Sequence, residues 1–182
     1  MRAAIFVVAG ATAISTPSPP ATSAPLRNTA LHSPMPGGFM GGWQGDTGVD
    51  ISGRFLPVHA IAAGTLEYSE WGHTRWRTAP DTPFSVRLRL DAPIQVGAHK
   101  VTHVYYTHLS AVVTNQTESS PAQKHVAAGE MIATSGIGNG VPHLHLGLLL
   151  DNQVEQDSWE FILREDAVRQ VMGGYRNGER LP

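Results

Sequence analysis

The sequence predicts a mostly β protein, an antiparallel sheet or sandwich with one C-terminal helix. Three observations carry that expectation. Phe84-Ser-Val-Arg-Leu-Arg-Leu-Asp91 alternates apolar and polar residues, the pattern of a strand with one buried face. Short β-branched and aromatic runs recur between turn residues, among 19 Gly and 13 Pro in 182 residues. Only Asp157–Met172 repeats its apolar residues at helical spacing: Trp159, Ile162, Leu163, Val168, Val171 and Met172. Asp157 followed by Glu160 reads as a capping box at its start, and Gly173-Gly174 as its end.

Composition narrows the chemistry. A formal net charge of −2 gives no footprint for nucleic acid. The chain has no cysteine, which excludes disulfides and thiolate metal sites, so any metal must rest on His, Asp or Glu. Nine histidines make that alternative worth following.

In chain order, Arg2 precedes the apolar run Ala3–Ile14, and small residues with several prolines follow. Residues 1–24 therefore read as a signal peptide, 25–40 as a Pro/Gly/Ser-rich linker, and 41–175 as the folded domain, exported to the cell envelope or beyond. Asp46-Thr-Gly-Val-Asp-Ile-Ser-Gly53 is a turn entering a strand. Its two carboxylates are either backbone caps or a pair of oxygen ligands. Val58–Tyr68 reads as strand, turn at Gly64 and strand, with His59 on the surface or lining a cleft. Trp71–Pro80 is an aromatic and basic loop. In the alternating strand Phe84, Val86, Leu88 and Leu90 face the core, and Arg87 and Arg89 face water. Val101–Ser110 is a further strand with His108 near its end; His103 has the opposite parity and is not expected at the same place. Residues 114–125 form a polar loop, and Val126–Gly136 turns at Gly129 into a short strand.

Gly140-Val-Pro-His-Leu-His-Leu-Gly-Leu-Leu-Leu150 is the most informative stretch. In a strand His143 and His145 share one face, while Leu144, Leu146 and Leu148 share the other. The two imidazoles either line a metal or catalytic site or meet water on a half-exposed strand.

Taken together, Thr47-Gly-Val-Asp-Ile51, Leu56–Thr65, Tyr106-Thr-His-Leu-Ser110, Val126–Gly136 and Pro142-His-Leu-His-Leu146 resemble the ordered motifs of the lysostaphin-type zinc metallopeptidases. That family has the duplicated hybrid motif fold and cuts peptide bonds of the bacterial cell wall. The resemblance spans roughly residues 40–162. It implies Zn2+ held by Asp50 and His145, with His108 and His143 as catalytic neighbours. It also implies a peptidoglycan cross-link or stem peptide as substrate. One position departs. Where the family carries its first ligand His, this chain has Asp46, and the aromatic residue and the Glu or Gln usual after the His-x-His pair are Leu146 and Gly147. Asp46 can ligate zinc but reaches less far than an imidazole, so its turn must come closer or a water must bridge. The resemblance thus leaves two expectations. One is an exported zinc metalloendopeptidase. The other is a degenerate relative that binds cell-wall peptide, or a protein partner it regulates, without cutting.

Overall fold

A computed structural model of the chain describes residues 22–42, 45–74, 78–154 and 161–182. Among the described residues nine strands form one antiparallel sheet: β1 (Phe39–Met40), β2 (Val49–Ser52), β3 (Pro57–His59), β4 (Gly64–Trp71), β5 (Phe84–Val96), β6 (His99–Val112), β7 (His125–Val126), β8 (Met131–Gly138) and β9 (Val141–Leu150). The order is β1-β2-β9-β8-β6-β5-β4-β7, with β3 added beside β8. The mostly β expectation holds.

The alternation seen in the sequence builds the core. Leu144, Leu146 and Leu148 are fully buried, and they join Val49, Ile51, Val86, Leu88, Val104 and Tyr106 in one apolar cluster. Each such side chain contributes about 1.5–3 kcal/mol on leaving water. β8 and β9 are joined by the two-residue turn Asn139-Gly140, both at positive φ, 50° and 75°. That is the backbone an Asn-Gly pair favours in a tight hairpin, and it sets the register that decides which face His143 and His145 occupy.

Four expectations change. The helix α1 covers only Glu165–Val171. Ile162 and Arg164 instead form β-bridges to Leu149 and Thr47, because the backbone there is hydrogen-bonded to the sheet; the expected capping pair Asp157 and Glu160 lies outside the described residues. Arg87 is buried, not solvated, since it bridges Glu67 at 2.7 Å and Glu118 at 2.5 Å and lies over the Tyr68 ring. His59 is buried too, with Nδ1 donating to the Gly129 carbonyl at 2.8 Å. The stretch read as a linker is packed: Leu26, Leu31, Met35 and Met40 belong to the main core, as does Leu181 near the C-terminus. Residues 1–21, most of the expected signal peptide, and 75–77 of the aromatic loop lie outside the described residues.

Candidate metal centre

The site forms where β2, β6 and β9 meet. Asp50 lies directly opposite His145 in the β2–β9 ladder, and Ser52 opposite His143. Cross-strand partners project to the same face, so register alone brings the carboxylate to the imidazole. The His145 Nδ1 is 2.9 Å from Asp50 Oδ1, and the His143 Nε2 is 3.6 Å from the same oxygen. His143 donates its Nδ1–H to the Val141 carbonyl at 2.8 Å, which leaves Nε2 as the nitrogen with a lone pair facing the site.

The turn before β2 delivers Asp46. Its Oδ2 lies 4.0 Å from His145 Nδ1, and its Oδ1 accepts the Thr47 N–H at 2.7 Å. Gly48 makes this approach feasible. At φ 95° it occupies the left-handed region, and a Cβ there would stand 2.4 Å from the Leu146 carbonyl oxygen and 3.0 Å from His145 Nε2.

His108 completes the group from β6. Up to Thr107 this strand pairs with β9, with Thr107 opposite His145; from Leu109 it pairs with β8. His108 sits at the change of partner with φ 59°, a conformation costly for a non-glycine residue and found where structure fixes a functional side chain. Its ring centroid is 4.8 Å from that of His143 and 6.4 Å from that of His145. The ring lies where a Cβ on Gly138 would be, 2.3–2.5 Å from its atoms, so only glycine leaves room for it. His108 Nδ1 is buried and has no hydrogen-bond partner among the described residues.

Electrostatics follow from this crowding. Burial pushes the Asp50 carboxyl up, but the His145 hydrogen bond and charge, with His143 and His108 behind, outweigh it and hold Asp50 below the ordinary carboxylate range. For His145 burial pulls down, yet the Asp50 hydrogen bond, the charges of Asp50 and Asp46 and a hydrogen bond to the Thr47 backbone raise it. His108 has no such support. Burial, then repulsion from His143 and His145, pushes it down to about 4, so it is neutral near pH 7.

Asp46, Asp50 and His145 each offer a ligand atom, all within 4.8 Å of one another. On a tetrahedral zinc with bonds of about 2.0–2.2 Å, ligand atoms lie about 3.4 Å apart. The observed 2.9 Å and 4.0 Å bracket that spacing. Two carboxylates and one imidazole are a donor set that zinc accepts, with one position left for water or substrate. The residues present therefore fit such an ion. These three side chains converge, with His108 and His143 beside them. His103 pairs with Glu67 elsewhere, at 3.4 Å. Sequence reasoning did not single out Gly48 or Gly138 for the site; their only signal is membership of turn-rich runs.

No family model and no curated protein matches the chain. Solved structures do. It is similar to the antimicrobial peptidase lysostaphin from Staphylococcus simulans, with 20% identity and a TM-score of 0.51. A solution structure of lysostaphin gives 22% identity and the same TM-score. The fold is lysostaphin-like. Both matches cover 88% of this chain and 59% of lysostaphin, so the chain spans under two thirds of that protein.

Proposed function

We propose that the protein is an exported zinc metalloendopeptidase that hydrolyses peptide bonds in peptidoglycan. The observation that carries this reading is the convergence of Asp46, Asp50 and His145 beside two histidines of opposite character. The lysostaphin-like fold and the resemblance of the motifs to cell-wall peptidases support the substrate class. The apolar run of residues 3–14 supports export.

Asp46, Asp50 and His145 would hold the zinc, which when bound acidifies water and polarises a carbonyl. The Thr47 backbone, hydrogen-bonded to His145, supports this ligand from the turn that carries Asp46. His143, its Nδ1–H tied to Val141, presents Nε2 to accept a proton from an attacking water. His108, neutral because it is buried, donates an N–H to a carbonyl oxygen as negative charge develops there. His143 then returns its proton to the leaving amine.

The test is direct. The purified full chain is expected to bind one equivalent of zinc at micromolar free metal and to release peptide fragments from peptidoglycan. His145→Ala should abolish both. A wild type that takes up no zinc sinks this reading. Asp46 favours a second reading, a non-cutting binder of cell-wall peptide or regulator of another hydrolase. Two carboxylates donate more charge to the ion than one, so its water ionises less readily. If the wild type binds zinc and peptide but cuts nothing, and Asp46→His creates hydrolysis, the second reading stands.

A further inference from the structure

Three hydrogen bonds tie the turn that carries Asp46 to one tripeptide more than a hundred residues later in the chain. Arg164 donates to the Gly45 carbonyl at 2.7 Å, the Glu165 N–H to the Asp46 carbonyl at 3.1 Å, and the Gly48 N–H to the Leu163 carbonyl at 2.9 Å. The same tripeptide is docked on the strand that carries His145, since the Leu163 N–H donates to the Leu148 carbonyl at 3.0 Å. Behind it, the buried Arg169 binds Glu165 Oε1 at 2.6 Å and the Gly41 carbonyl at 2.6 Å, so the start of α1 is also tied to the chain entering the turn. Gly42 leaves room for this pair: a Cβ there would lie 2.7 Å from the Glu165 carboxylate.

We infer that Leu163-Arg164-Glu165 is a positioning clamp that presses the 45–48 turn onto β9 and so lets the short side chain of Asp46 reach the metal site. This rests on the zinc reading of that site. Aspartate is shorter than histidine, so it needs a closer backbone, and three backbone groups of four consecutive residues are fixed by one segment that spans both ligand-bearing elements. Arg164 and Glu165 touch no reacting atom; they act through Asp46.

Proline at Glu165 provides the sharpest test. Glu165 is the first residue of α1, and Arg164 before it has φ −66° and ψ 155°, both compatible with a following proline. Glu165→Pro removes the N–H that holds Asp46 and sets ring carbon against its carbonyl, whereas Glu165→Ala loses the same side chain and keeps the N–H. Zinc affinity is read by chelator competition on the full chain, folding by thermal melting, and the turn by amide exchange at Gly48. Loss of supporting contacts around a metal site weakens binding about 10–100-fold, and Glu165→Pro should fall at least about tenfold below Glu165→Ala, with faster exchange at Gly48. Arg164→Ala, at an exposed side chain that leaves the helix intact, should weaken zinc several-fold with its melting temperature unchanged, and Arg164→Lys should restore part of the loss. If the wild type binds zinc and Arg164→Ala and a folded Glu165→Pro bind it as tightly as their references, the clamp is refuted. A wild type that binds no zinc refutes the metal site itself, and the clamp with it.

Discussion

Gly138→Ala separates the position of His108 from the metal site. Gly138 lies in β8, outside the left-handed region, so its backbone accepts alanine without strain. The added Cβ would stand 2.3 Å from His108 Cγ, 2.4 Å from Cδ2 and 2.5 Å from Nδ1. Carbon atoms in good contact lie about 3.5–4.0 Å apart, so the ring or the strand must retreat by about 1 Å. Overpacking of this kind costs about 1–3 kcal/mol of stability. A displacement of about 1 Å at a catalytic group costs about 100-fold in rate, or about 2.7 kcal/mol in the barrier. The three atoms nearest the new methyl all belong to His108 and none to Asp46, Asp50 or His145. The expected result is therefore a folded protein with full zinc content and kcat/KM for peptide release lowered about 100-fold. Gly140→Ala is the control. Its Cβ meets nothing within 4 Å, but its φ of 75° disfavours alanine, so it should lose about 1 kcal/mol of stability and no activity. A folded Gly138→Ala with wild-type kcat/KM refutes the argument that the placement of His108 matters to the chemistry.

Three further predictions concern the ligands and the support of the sheet. Asp46→Ala should weaken zinc binding at least about tenfold in chelator competition while leaving melting in the presence of chelator within a few degrees, because among the described residues the side chain accepts one hydrogen bond, from its neighbour's N–H, and lies a long 4.0 Å from His145 Nδ1. Arg87→Met should cost about 1–3 kcal/mol in urea unfolding, since it removes the closest of three basic side chains around the half-buried Glu67 carboxylate, at 2.7 Å, and leaves His103 at 3.4 Å and Arg89 at 3.5 Å. Glu67 also sets an acid limb. The His103 hydrogen bond, joined by Arg87 and opposed by burial, holds it at about 2 against an ordinary 4.5. A depressed carboxylate stabilises the fold fully above its unfolded value and loses that contribution as pH falls through its folded one. Wild-type stability should therefore drop between pH 4.5 and 2 more steeply than that of Glu67→Gln, as read from urea midpoints; parallel curves would refute the assignment.

The chain's own pattern determined the sheet and most of the site. Alternation at β5 and β9 decided which side chains enter the main apolar core, because side-chain direction in a strand has a period of two whatever surrounds it. The same period put His143 and His145 on one face, and the turn chemistry of Asp46–Gly53 marked the carboxylates. Tertiary structure decided what no local pattern carries. Phe161–Arg164 has helical spacing, yet it lies extended against Leu148–Leu150 and Thr47, since backbone groups on β9 and the 45–48 turn offer partners that a local helix does not. Arg87 alternates like a surface residue but is buried, because Glu67 and Glu118 arrive from other strands and loops to neutralise it. Above all, the reach of Asp46 could not be read from its side chain. It depends on how closely the turn approaches β9, and that distance is set by Gly48 and by three hydrogen bonds from residues more than a hundred positions away.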